Sequence, residues 1–195
     1  MRIIVGLTGP TGAGKSLVSS VATNLGFQVI NCDLVARKAV EKGSIGLLRL
    51  AAVFGEGILN NDDTLNRKAL AIVAFSSKEN TELLNKTLLP HIVKLIKDEI
   101  SSDKVLLDAP TLFESGISSE CDFTVAVLAD SAIRLKRITE RDNISCEDAL
   151  LRMNAGKSDD FYINNADFIL YNNGSIEELK DNFKSLLKNG GNINE

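Results

Sequence analysis

The chain has 195 residues, 44% of them apolar and 25% charged, enough to bury a full core; this excludes disordered, collagen-like and disulfide-scaffold proteins. Such a length suits one α/β domain carrying an insertion better than two domains. With 22 Lys and Arg against 26 Asp and Glu the net charge is −4, so nucleic acid is not an expected partner and any polyanion must be held locally.

In chain order, nearly continuous apolar runs at 3–7, 27–30, 104–107, 123–128 and 167–170 read as five strands buried on both faces. Helical patterns between them mark crossovers, and together they predict a doubly wound parallel sheet. Leu17, Val18, Val21, Ala22 and Leu25 repeat at helical spacing before Gly26, completing a first strand-loop-helix unit. Residues 34–100 hold no strong strand. They read as a helical insertion, with a helix at 45–54 ending at Gly55 and another at 67–75 capped by Asn66. Pro90 is expected to interrupt or restart the last long helix there. Further on, Ser145 and Asp148 can start a helix, and Ser175 with Glu178 forms a capping box for the final one. The polar tail from Asn189 to Glu195 is expected to fray.

Cys32, Cys121 and Cys146 form no C-x-x-C, and the single His91 leaves no zinc pattern. Reduced thiols and a cytoplasmic location are expected. The first apolar run is too short for a signal-peptide core, and none approaches the ~20 residues of a membrane span. His91 lies in a helical stretch far from any nucleophile motif, so a surface or packing role is expected for it.

Gly9-Pro10-Thr11-Gly12-Ala13-Gly14-Lys15-Ser16 matches G-x-x-x-x-G-K-[ST] between the first strand and first helix, the setting which that phosphate-binding loop requires. Gly12 and Gly14 let backbone N–H groups of the loop, with Ala13 and Leu17 in the same turn, surround phosphate oxygens. Lys15 is expected to reach the β and γ phosphates of ATP, and the Ser16 hydroxyl to ligate Mg²⁺. Asp108 ends the third strand as a Walker B acid does, a second expected metal-site residue. The fold class is therefore a P-loop NTPase-type five-stranded sheet, with core segments 1–33, 101–140 and 166–188, the insertion at 34–100 and a further segment at 141–165. No D-x-x-G occurs and Asn85-Lys86 is not followed by the Asp of N-K-x-D, which argues against a GTPase switch. A small-molecule kinase fits the remaining plan.

Nearly the whole chain resembles the dephospho-coenzyme A kinase family. The residues that carry the resemblance are Gly6-Leu7-Thr8-Gly9, the segment from Val29 to Arg37 containing Asn31-Cys32-Asp33, Leu65-Asn66-Arg67, Leu84-Asn85, Asp108-Ala109-Pro110-Thr111-Leu112-Phe113-Glu114 and Asn172-Asn173-Gly174. The resemblance implies ATP-dependent phosphorylation of the ribose 3′-hydroxyl of dephospho-coenzyme A, with no membrane or obligate protein partner. A kinase of another small hydroxyl or nucleotide acceptor, and a degenerate regulatory nucleotide-binding protein, are the alternatives. The resemblance also places Asn173 and Gly174 near the adenine and Asp33, Arg37, Arg67 and Asp108 near the acceptor, and implies that residues 141–165 close as a lid; the other reading of Arg37 and Arg67 is solvated helix residues.

Asp33 is the candidate proton acceptor; its other reading is the N-cap of a helix beginning at Leu34. Arg137 and Arg141, four apart on a predicted helix, repel unless an anion such as the triphosphate lies between them, or unless acids such as Glu140 or Asp142 pair with them. Three departures from the family pattern stand out. Asn31 replaces an Asp, His91 follows Leu88-Leu89-Pro90 one place late, and the lid from Gly156 to Ile163 lacks the usual arginines, leaving Lys157 as a partial substitute.

Overall fold

The computed structural model describes residues 2–191. Five strands, β1 (Ile3–Thr8), β2 (Gln28–Asn31), β3 (Lys104–Asp108), β4 (Phe123–Leu128) and β5 (Phe168–Tyr171), form one sheet in the order β2-β3-β1-β4-β5. All four pairings are parallel. The strands follow the five apolar runs within a residue at each end. The ladder carries β1 and β3 one residue further, to the polar Thr8 and Asp108, because Thr8 still pairs with Ala126 and Asp108 with Leu7. Asp167 drops out of the last strand because its carboxylate accepts the Thr124 N–H and hydroxyl at 2.8 and 2.7 Å.

Side chains of β3 alternate between two cores, as a strand covered on both faces requires. Leu106 joins Val5, Leu7, Val18, Val125 and Phe183, beneath α1 (Lys15–Asn24) and α9 (Ile176–Gly191). Val105 and Leu107 join Ile30, Val35, Ile92, Ile96 and Leu112 on the opposite face, beneath α2 (Cys32–Ala39) and α5 (Lys78–Glu99).

The insertion builds its own core from Val40, Leu50, Ile58, Leu70 and Ala74, within and around α3 (Ile45–Phe54) and α4 (Arg67–Ala74). Ser44 and Asn66 cap these helices by accepting the N–H groups of Leu47 and Ala69. The expected break at Pro90 does not occur: α5 runs through it for 22 residues. Pro90 and Lys86, whose carbonyl loses its helical donor, are both exposed, so water can satisfy that carbonyl. One helix thus joins the insertion, through Leu84 and Leu88, to the sheet, through Ile92 and Ile96.

Beyond β4 come α6 (Ser131–Asp142), α7 (Cys146–Asn154) and α8 (Asp159–Asn165). Ser145 caps α7 by accepting the Asp148 N–H at 3.0 Å. At α9 the capping box is complete, with the Ser175 N–H donating to Glu178 at 2.9 Å and the Glu178 N–H to the Ser175 hydroxyl at 3.2 Å. Residues 189–191, expected to fray, continue α9; residues 192–195 lie outside the described part. Cys32, Cys121 and Cys146 are free, and His91 is a half-buried residue of α5. No helix among the described residues is long and apolar enough to cross a membrane.

Candidate active site

The carboxyl ends of β1, β2 and β3 meet at one edge, where an open α/β sheet leaves its ligand crevice. The loop after β1 turns there under tight contact. A Cβ at Gly9 would overlap the Val127 carbonyl, and one at Gly14 would overlap the Asn172 amide. Gly14, with φ 100°, is the N-cap of α1, and no side chain caps that end. The Leu17 N–H turns back to the Gly14 carbonyl at 3.0 Å, but those of Lys15 and Ser16 have no acceptor among the described residues and are free for an anion, which the helix dipole favours.

Lys15 closes over this loop and donates to the Gly9 carbonyl at 2.6 Å. Burial lowers its ammonium pKa, while the Asp108 and then the Asp33 carboxylates push it back up. Those electrostatic effects come from the two acids expected beside the phosphates. Asp108 pairs with Leu7 and with Asn31 in the ladders, which puts its carboxylate between the phosphate loop and the start of α2. Ser19, one turn beyond Ser16 and not foreseen in the sequence, donates to Asp108 at 2.8 Å. Ser16 is exposed and lines the cleft.

The reading of Asp33 as a helix cap is corrected by the structure. α2 starts directly at the end of β2, two residues before Leu34, and Asn31 caps it by accepting the Leu34 N–H at 3.1 Å. Asp33 lies in the first turn, exposed and without a hydrogen bond or ion pair among the described residues.

The cleft encloses about 1040 Å³, above the usual ~300-1,000 Å³ of a single small-molecule site. Beside the phosphate loop its walls include Thr111, Glu114, Arg137, Arg141, Arg152, Lys157 and Tyr162. Arg137 braces the loop from below, donating to the Ala13 carbonyl at 3.3 Å and the Asn172 carbonyl at 3.1 Å. Arg141 pairs with Asp142 through both carboxylate oxygens at 2.7 and 2.9 Å, which is the acid-paired arrangement; Glu140 instead meets Lys136. Both arginines nevertheless face the cleft.

Residues 156–163 carry no arginine, but one from the preceding helix reaches the cleft. α7 packs back along α6, so Arg152, four residues before Gly156, lines the cleft and shares Asp142 with Arg141 at 2.6 Å. Lys157 rests 5.2 Å from the Phe161 ring centroid. Arg134 was likewise not foreseen, because a single Arg on an amphipathic helix reads as surface; in the fold it is buried beside Thr11. Glu114 holds the insertion through its carbonyl, which accepts the Asn85 amide at 2.6 Å. Tyr162 has its phenol pKa raised, chiefly by burial and next by the Glu114 charge.

Several expected residues stand apart from the cleft wall. Leu17 packs against the core beneath α1. Asn173 exchanges hydrogen bonds with Asp130, both at 2.8 Å, and Gly174 abuts Glu178. Their neighbour Asn172 is the buried one, donating to the Ala13 carbonyl at 2.8 Å. Arg37 on α2 and Arg67 at the start of α4 are exposed and carry no ion pair among the described residues. No group of three or more His, Cys, Asp or Glu suited to a metal occurs among the described residues.

A parallel five-stranded sheet with flanking helices, a lysine-bearing loop after its first strand and an acid at the end of its third defines a P-loop kinase fold. A family model for dephospho-CoA kinase matches residues 3–178. The dephospho-CoA kinase of Listeria monocytogenes serotype 4b is 37% identical over 190 residues, covering 94% of this chain and 95% of that protein. Among solved structures, a Thermus thermophilus protein is similar at TM-score 0.75 and 30% identity, covering 96% of this chain and 97% of its own. The dephospho-CoA kinase from Campylobacter jejuni is similar at TM-score 0.61 and 25% identity, covering 99% and 100%. The chain belongs to the dephospho-CoA kinase family.

Proposed function

We propose that the protein transfers the γ-phosphoryl group of ATP to the ribose 3′-hydroxyl of dephospho-coenzyme A, giving coenzyme A and ADP. Family membership and the convergence of Asp33 and Asp108 on Lys15 support this reading. In it, the N–H groups of Gly12, Gly14, Lys15 and Ser16 hold the phosphates, Ala13 and Leu17 shape the turn by donating to the Pro10 and Gly14 carbonyls, and Arg137 and Arg141 balance the phosphate charge. Asn173 and Gly174 border the adenine, while Arg37 and Arg67 reach the acceptor from the insertion. The acceptor oxygen forms its bond to the γ phosphorus in line with the departing β-γ bridging oxygen, whose bond breaks to release ADP, and the hydroxyl proton passes to the Asp33 carboxylate. Positioning and electrostatics supply most of the rate, so the exposed Asp33 need only be close when substrates close the cleft.

Ser16 and Asp108 offer hydroxyl and carboxylate oxygens, hard donors that fit Mg²⁺. When bound there, Mg²⁺ would neutralise charge building on the phosphate oxygens. Ser19 holds the Asp108 carboxylate in its orientation toward the loop. An acceptor panel with ATP and Mg²⁺ tests the reading. ADP release is expected with dephospho-coenzyme A and not with shikimate, adenosine or pantetheine; equal turnover of another hydroxyl acceptor would overturn the assignment.

A further inference from the structure

Arg134, in the first turn of α6, has only 6% of its side chain exposed, and it bridges two parts of the site that no strand or helix connects. Its Nε donates to the Thr11 carbonyl, at the apex of the phosphate loop, at 3.0 Å. Its Nη1 donates to the Asp159 carboxylate, in the first turn of the lid helix α8, at 2.9 Å. The loop fits closely against this residue: a Cβ at Gly12 would come within 2.9 Å of the Arg134 carbonyl. One turn beyond Asp159, Tyr162 anchors α8 by packing with Ala126 and Leu128 of β4. Between α7 and Asp159 runs Ala155-Gly156-Lys157-Ser158, and its first three residues line the cleft with the phosphate loop.

We propose that Arg134 is a positioning residue whose ion pair with Asp159 registers the Gly156-Lys157 lid segment over the phosphates of ATP. This rests on the nucleotide-binding part of the reading above. An arginine suits the task, since its planar, always-charged fork can serve a loop carbonyl and a lid carboxylate at fixed angles. The pair is also lopsided in solvent: Arg134 is buried while Asp159 is 43% exposed, so loss of the carboxylate leaves a buried cation without its counter-ion and frees the lid. Lys157 would then sample positions away from the phosphates. In this way acids at the start of the lid helix serve a phosphate site indirectly, by fixing a cation elsewhere.

A double-mutant cycle between Asp159 and Lys157 tests this, read both as ATP affinity by calorimetry and as the KM for ATP. Asp159→Ala should weaken ATP at least about threefold while leaving the KM for the acceptor unchanged, and Lys157→Ala should cost less in the Asp159→Ala background than in the wild type. Asp159→Asn keeps an oxygen for Nη1 and should recover part of the loss; it also serves if the alanine variant folds poorly. A lowered melting temperature with unchanged ATP affinity, or strictly additive effects of the two substitutions, would overturn the proposal. Because calorimetry needs no turnover, an inactive wild type would contradict the acceptor assignment alone and leave this coupling to be judged separately.

Discussion

The Asn31 side chain accepts the Leu34 N–H at 3.1 Å and so caps α2, leaving Asp33, two residues later, with a carboxylate that no other group holds among the described residues. One residue supplies the helix start and the other is free for chemistry. Asn31→Ala should therefore lower stability by about 1 kcal/mol, the usual cost of an N-cap, in a denaturant titration. Asp33→Asn should not. Equal losses of stability in the two variants would contradict this division of labour.

Lys15→Ala should abolish most turnover, by about 10²-10³-fold for a lost charge-stabilising donor, while the protein still unfolds cooperatively. The lysine is held in the cleft against its own solvation and contributes one close hydrogen bond, to the Gly9 carbonyl, so its removal does not threaten the core. Rates measured on material with a normal circular dichroism spectrum decide the matter. A folded variant with near-normal turnover would remove the phosphate-loop mechanism.

Asp108→Asn should shift the Mg²⁺ concentration needed for half-maximal rate upward by about 10-100-fold, because an amide is a poorer ligand than a carboxylate. Ser19→Ala should produce a smaller shift in the same direction, through loss of the 2.8 Å bond that orients Asp108. An unchanged Mg²⁺ titration in Asp108→Asn would show that this acid does not serve the metal.

Arg141→Ala should reduce kcat/KM for ATP more than Lys157→Ala does, since a guanidinium offers several planar donors to phosphate oxygens and an ammonium is a point charge. Asp142 holds both Arg141 and Arg152, each guanidinium keeps N–H donors that this carboxylate does not use, and Arg152 is expected to share the task assigned to Lys157. Wild-type rates in both variants would sink the idea that these cations share the work of the lid.

The strands were legible because a sheet covered on both faces needs continuous apolar runs, and β4, buried at every position, is the plainest case. Spacing alone also located the phosphate loop, as its glycines are required by close contacts with Val127 and Asn172. What stayed hidden depends on how separate helices come together. Arg152 joins the cleft only because α7 folds back on α6, and Arg134 is buried only because the loop apex lies beside it. The Asn31 cap was missed for a local reason: β2 runs into α2 with no intervening loop, so the helix starts earlier than a strand-loop-helix spacing suggests.

The central claim is that Asp33 takes the proton of the acceptor hydroxyl, and coenzyme A formation by purified Asp33→Asn tests it most directly. The substitution keeps size and hydrogen bonding but removes the basic oxygen. Turnover should fall by about 10²-10⁴-fold, the range for positioned acid-base groups, with ATP affinity and melting temperature close to wild type. A variant that forms coenzyme A at a near-normal rate would contradict the account.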